Sequence, residues 1–462
     1  MKILNKHRGS AIVRIGLCLA VYLSWSRVAN AELELLNKDG WTFTFDGRVN
    51  AFLSAGAGDN IPLAPMGAPY TVMGSQSSGP GNGRADVGWP ENYGQRDSDN
   101  NYLAIRVRSG MYPNILGFGV TRKVGEDTTI RGYISIWSTV ESLGYDKWAP
   151  INAEAREGYF NVNGSWGTVT IGRTLALLGR MSYEIDTLYG HGFGVGLPCT
   201  DALGPACGHI GTGVLFPGYG ANVAYTTPSA GGLRLHVGVF DPVVFSTAMN
   251  DWSHASVVRP EGALSFDRPI GMTGRIKFEV EGLYQPVSRI EMDATGTGSR
   301  RVTTAIWGAA GGVRIEAGPI RLGVSGFRGK GLGLFYALQR SSATEDNSPT
   351  HELRTFTGGY GQVALVFGKL QLSGGFGMSL VDQTAFDKID GSVSVIRYQR
   401  GISGALYYYA TDSIVLGLDF FNFAAGWWGA PMVDPATMAV TGKYAGETQL
   451  LNFVNAGMTY HW

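Results

Sequence analysis

Beyond its first 31 residues the sequence holds no apolar run of 18 residues, so it contains no segment suited to cross a bilayer as a helix. Cysteine is nearly absent: of three, only Cys199 and Cys207 lie beyond the N-terminal stretch. Histidine is scarce, 7 in 462 residues, and scattered; no Gly-x-Ser-x-Gly elbow occurs. The nucleophile–base pair of a hydrolase is therefore not evident, and the chain is not read as an enzyme. Charge of either sign is not in excess, with 37 Lys and Arg against 37 Asp and Glu, which gives no support for nucleic-acid binding. There is no linker, composition shift or low-complexity segment to divide the chain.

The N-terminus carries Lys2, Lys6, Arg8 and Arg14, then an apolar core over 15–25, then Ala29-Asn30-Ala31. This is the pattern of a secretory signal peptide, 1–31, followed by a single unit, 32–462. No cysteine follows the apolar core closely enough for a lipoprotein. Cleavage would remove five basic and no acidic residues, leaving a formal net charge of −5. An exported chain without helical spans can still enter a membrane as a closed β-barrel.

What the sequence has is glycine, 68 residues, roughly twice the average usage of ~7%, and a period of two. Trp41, Phe43, Phe45 and Val49 alternate with Thr42, Thr44, Asp46, Arg48 and Asn50; Leu103, Ile105 and Val107 alternate with Arg106 and Arg108. Ile276, Phe278 and Val280 alternate with Arg275, Lys277, Glu279 and Glu281. Alternation alone fits a soluble sandwich or a membrane barrel equally well. Connection lengths separate the two. Short turns are expected near 126–127, 165–166, 229–232, 268–269, 318–319, 368–369 and 411–413. Long loops are expected near 57–100, 143–153, 174–219, 242–258, 288–300, 334–352, 383–392 and 429–448. Short turns alternating with long loops predict an all-β, closed antiparallel transmembrane barrel of 16 strands. Residues 102–124 are open to two readings: one strand kinked at Pro113, or a loop hairpin followed by a strand.

Between 174 and 219 the alternation stops. The stretch is glycine-rich yet carries Leu, Ile, Phe and Tyr throughout, which argues against disorder. It reads as a loop folded into the barrel interior. It holds Cys199 and Cys207, an even pair in an oxidising compartment, which favours a disulfide. Metal binding with His191 and His209 is the rival, but the spacing is not that of a structural zinc site. The same loop offers Glu184 and Asp186, two apart; on an extended backbone they would share one side and could face the pore, or they could pin the loop through salt bridges or caps, and the two roles are compatible.

Four fragments, taken in order, resemble the trimeric general porins of Gram-negative bacteria. They are Phe45-Asp-Gly-Arg48; Leu116-Gly-Phe118 with Thr129-Ile-Arg-Gly-Tyr133; Arg156-Glu-Gly-Tyr-Phe160 through Gly167 to Arg173; and the alternating C-terminal strand ending at Trp462. The family usually ends in Phe, and its Pro-Glu-Phe-Gly-Gly loop motif is absent here. The resemblance implies an outer-membrane, 16-stranded homotrimer bedded in lipid. Small hydrophilic solutes and ions would diffuse through it passively, without a cofactor, and the third loop would narrow the pore. It implies acidic loop residues (Glu184, Asp186, with Asp201 next) facing a basic wall. Arg48 and Arg156 match basic family positions; Arg106, Arg108 and Arg131 join them on the polar phase of their strands. The rival expectation is a substrate-specific outer-membrane channel.

Overall fold

The structure is a computed structural model, and it describes residues 32–59, 95–96, 102–140, 153–189, 193–201, 204–243, 252, 257–292, 299–334, 338, 346, 348–389, 396–429, 431–434, 437, 440–443 and 446–462. The expected signal peptide and much of the expected long loops lie outside them.

The alternating stretches become sixteen strands. They are β1 (Trp41–Gly58), β2 (Tyr102–Arg108 and Asn114–Lys123), β3 (Thr129–Ser138), β4 (Ala153–Gly164), β5 (Gly167–Leu175), β6 (Tyr219–Thr226), β7 (Leu233–Phe240) and β8 (Arg259–Ile270). β9 (Gly274–Met292), β10 (Ser299–Ala317), β11 (Ile320–Lys330), β12 (Thr355–Phe367), β13 (Leu370–Asp382), β14 (Ile396–Tyr409), β15 (Ile414–Trp427) and β16 (Thr448–His461) complete the set. Each pairs antiparallel with the next, and β1 pairs with β16 from Arg48↔His461 to Gly58↔Leu451. The ring is closed, which leaves no open sheet edge around the barrel.

The wall is inside-out relative to a soluble protein. On β9, Val280 and Tyr284 are 59% and 51% exposed, whereas Glu279, Glu281 and Gln285 on the other face are buried. Leu264, Val324, Leu372, Leu418 and Val454 repeat the outward apolar face around the ring. Period two is what separates these faces.

The strands refine the sequence reading at three places. Residues 102–124 are one strand interrupted at 109–113. The side chain of Asn50 fills the interruption: Nδ2 donates to the Tyr112 carbonyl at 2.7 Å, and Oδ1 accepts the Gly110 N–H at 2.7 Å. The turn expected at 268–269 falls at 271–273, because Arg268↔Ile276 and Pro269↔Arg275 are still paired. The loop expected over 288–300 shrinks, because β9 and β10 stay paired out to Met292↔Ser299. The tight turns at Gly318 and Gly368 each place a glycine at positive φ, 56° and 54°, where a side chain would strain the backbone.

An N-terminal strand, Leu33–Lys38, runs back along β1 from Leu33↔Phe45 to Lys38↔Trp41. Asp39 and Gly40 both have positive φ, as a type I′ turn requires. This strand occupies the edge of β1 just past the point where β16 ends. There Gly47 and Trp462 exchange backbone hydrogen bonds at 3.2 and 3.1 Å, and the Trp462 ring lies 5.5 Å from Phe45.

Candidate functional site

After Leu175↔Tyr219 the chain between β5 and β6 leaves the sheet. Leu178, Met181, Ile185, Leu188, Tyr189, Val195, Leu197 and Leu215 in this segment are completely buried. Backbone at such depth needs partners for its polar groups, and inward side chains of the wall supply them.

Near its start the partners are carboxylates. Glu261 of β8 accepts the N–H groups of Leu177 (2.7 Å) and Leu178 (3.2 Å). Glu281 of β9 accepts those of Gly179 (2.5 Å) and Met181 (2.6 Å). The Glu281 bonds take up two of the N–H groups that begin a short helix, α1 (Arg180–Ile185), whose N-cap Gly179 has no side chain to do so, while the Arg180 N–H donates to the Leu177 carbonyl at 3.2 Å. Arg180 pairs with Glu279 at 2.6 Å.

Further along, the partners lie across the ring. The Thr187 N–H donates to Gln362 of β12 (3.0 Å), and Gln371 of β13 donates to the Thr187 carbonyl (3.0 Å). Tyr407 of β14 donates to the Leu188 carbonyl (2.8 Å). Asp419 of β15 accepts the N–H groups of Val195 and Gly196, both at 3.1 Å, and Asn455 of β16 donates to the Gly196 carbonyl (3.2 Å). β13 stands eight places from β5 in the ring of sixteen, so the segment's contacts reach the opposite wall. His209 is fully buried against Tyr360 (4.4 Å), Tyr189 (4.8 Å) and Phe421 (5.4 Å), with Nε2 3.0 Å from the Ser403 hydroxyl. Burial pushes its pKa down to about 3.

The expected acid–base pairs are not the ones brought together. Glu184 forms an ion pair with Lys277 of β9, and its carbonyl accepts from Arg314 of β10 at 3.0 Å. Asp186 is buried, and its Oδ1 accepts the N–H groups of Leu188 (2.9 Å) and Tyr189 (3.0 Å). The two carboxylates part because Glu184 lies on α1 and Asp186 caps its end. Residues two apart on a helix point in nearly opposite directions, whereas on the extended backbone assumed from the sequence they would align.

The basic residues are likewise dispersed. Arg131 pairs with Glu32 near the short-turn end of β3. Arg156 pairs with Glu154 at 3.0 Å and lies 4.2 Å over the Trp137 ring. Arg48 lies 4.9 Å over the Tyr112 ring. Arg106 and Arg108 face inward on the first half of β2, opposite Ser54 and Phe52, and Arg108 is buried. Cys207 is disulfide-bonded, on a strand that pairs with Leu197–Asp201. The side chains of Cys199 and Asp201, and all of His191, lie outside the described residues.

Arg48 and Arg156 do flank one common feature, an aromatic strip. Tyr112 lies 5.4 Å from both Trp137 and Tyr183, Trp137 lies 5.8 Å from Tyr219, and Phe216 lies 5.6 Å from Tyr183 and 6.3 Å from Tyr219. Nothing in the sequence pattern singles these rings out, because they come from β2, β3, the segment and β6. The anchoring carboxylates Glu261, Glu281 and Asp419 were visible only as charges on the polar phase of strands.

No protein-family model matches the chain, and no curated protein sequence matches it. Solved structures with the same fold do. The outer membrane channel DcaP of Acinetobacter baumannii aligns at 14% identity and TM-score 0.56, over 92% of this chain and 99% of that one. The anion-selective porin from Comamonas acidovorans aligns at 15% identity and TM-score 0.53, over 91% and 100%. OmpF of Salmonella typhi, in complex with daunomycin, aligns at 12% identity and TM-score 0.51, over 93% and 100%. The likeness is one of fold and runs over nearly the whole of each chain; in this protein that fold is a closed, 16-stranded antiparallel β-barrel.

Proposed function

We propose that the chain is an outer-membrane channel through which small hydrophilic solutes and ions diffuse passively, narrowed by the segment between β5 and β6. The observation that carries this reading is the inside-out wall: an outward apolar face with Val280 and Tyr284 exposed, and inward carboxylates and amides. Apolar side chains outward and polar ones inward suit lipid on one face and water on the other. The fold neighbours named as a channel and as porins agree with it. In this reading residues 1–31 export the chain and are removed, Cys199 pairs with Cys207, the protein is a homotrimer and it carries no catalytic site. The pore narrows where the segment reaches across the ring, and the inward charges beside it sort ions.

The test is reconstitution of the purified protein into planar bilayers. Stepwise conductance that rises linearly with salt is expected, and a protein that inserts without conducting would overturn the reading. Native mass analysis in mild detergent reports the trimer, and peptide mapping without reduction reports the Cys199–Cys207 link.

A further inference from the structure

The aromatic strip sits within a wall that carries both charge signs and unused hydrogen-bonding groups. Tyr112, Trp137 and Phe216 are buried and form its backing, whereas Tyr183 and Tyr219 are only half-buried. A second half-buried pair, Tyr133 and Tyr159, lies lower on the same wall with ring centroids 5.7 Å apart. The hydroxyls of Tyr159, Tyr183 and Tyr219 have no protein hydrogen bond among the described residues. Nη1 of Arg48 is buried and has no hydrogen-bond partner there either. Tyr133 donates to both oxygens of Asp46, at 2.9 and 3.1 Å, and Ser135 donates to Glu157 at 2.9 Å. Gly117 is required for this arrangement: a Cβ there would collide with the Asp46 carboxylate and the Tyr133 hydroxyl.

The charge pattern decides among ligands. A cation on the strip would meet Arg48 and Arg156. An anion would meet Asp46, Glu154 and Glu157. A hydroxyl group donates and accepts, and so can use both signs side by side. Ring faces on the same wall add a surface for the C–H face of a cyclic molecule.

Building on the reading of the protein as a channel, we infer that this wall binds a neutral cyclic polyol, a mono- or disaccharide. The sugar's apolar face rests on Tyr183 and Tyr219, and its hydroxyls exchange hydrogen bonds with Arg48, Asp46 and Glu157. Binding is weak enough for release, in the millimolar range (about −4 kcal/mol), so that the wall guides permeating sugar without trapping it.

Saturation-transfer NMR on the full-length protein purified in detergent tests the inference without requiring conduction. Sucrose and maltose should show saturable transfer, strongest at ring C–H protons and insensitive to salt. Tyr183→Ala and Tyr219→Ala should each raise the dissociation constant roughly five- to tenfold, and Tyr219→Leu, which keeps more of the packing, should do the same. Tyr284→Ala, on the outward face, should leave it unchanged. Absence of saturable transfer from either sugar overturns the inference, as does transfer only from benzoate or only from choline, or sugar binding that survives in all three strip variants. Bilayer conductance in KCl is measured separately. Sugar binding without conductance defeats the channel reading and leaves the strip assignment standing; conductance without sugar binding does the reverse.

Discussion

Lys277 on β9 and Glu184 on α1 form an ion pair in which the two side chains keep only 25% and 30% of their exposure. The carboxylate is thus balanced by a wall charge next to it, and Arg314, which holds the Glu184 carbonyl, is itself paired with Glu316 at 2.6 Å. Glu184→Gln should remove one negative charge beside Lys277 and shift the reversal potential in a KCl gradient toward anions. Glu184→Gln with Lys277→Met should restore it nearly to the wild-type value. The shift should be largest at low salt, since the Debye length is ~30 Å at 0.01 M and ~3 Å at 1 M. Equal potentials for the single variant and wild type at low salt would mean that this pair does not face the ion path.

Asp186 should behave differently. Its Oδ1 serves the buried N–H groups of Leu188 and Tyr189. Asp186→Ala leaves both without that acceptor, at a cost of about 1–3 kcal/mol for each donor left unsatisfied. The expected outcome is a lower urea midpoint for unfolding in lipid vesicles with little change in ion selectivity. A selectivity change as large as that of Glu184→Gln, at unchanged stability, would contradict it.

The architecture was legible because period two and connection length are local properties. Val280 against Glu279 and Glu281, or Leu103 against Arg106, states the phase of each strand directly. The site was not legible, for two reasons. Whether Glu184 and Asp186 align depends on one helical turn, and α1 is too short to announce itself by periodicity. The partners also come from far along the chain. Glu281 meets Gly179 across 102 positions, and Asp419 meets Val195 across 224. Without an alignment or a fold, Glu281 reads only as one more polar residue on an alternating strand.

Glu281 should control how firmly the segment is held. It accepts two N–H groups at the start of α1, and each such hydrogen bond contributes about 0.5–1.5 kcal/mol. In Glu281→Gln the amide nitrogen points a donor at one of these N–H groups. We expect a larger and noisier single-channel conductance and a higher size limit for neutral solutes. An unchanged conductance and size limit would show that this end of the segment does not set the width of the path.

His209 gives the segment a pH dependence whose direction follows from its burial. The folded protein holds the imidazole neutral, with its pKa pushed down to about 3 from an ordinary value near 6.5, and burial is the cause among the described residues. A depressed folded pKa contributes stability that is fully present above about pH 6.5 and is lost as pH falls from there toward 3. At ~1.4 kcal/mol per pH unit, the loss is of order 2 kcal/mol by pH 5. That is comparable to the two hydrogen bonds that tie His209 and Gly213 to the wall among the described residues, between Nε2 and the Ser403 hydroxyl and from the Gly213 N–H to the Ser379 hydroxyl at 2.8 Å. If it conducts as proposed, the protein reconstituted in a bilayer should therefore be quiet at pH 7 and should show increasing conductance fluctuations between pH 6 and pH 4. In His209→Gln the side chain keeps a polar atom for Ser403 but cannot take up a proton in this range, so the fluctuations should lose their pH dependence. Identical acid-induced fluctuations in His209→Gln and wild type would assign them to other groups and leave the His209 contact a passive one.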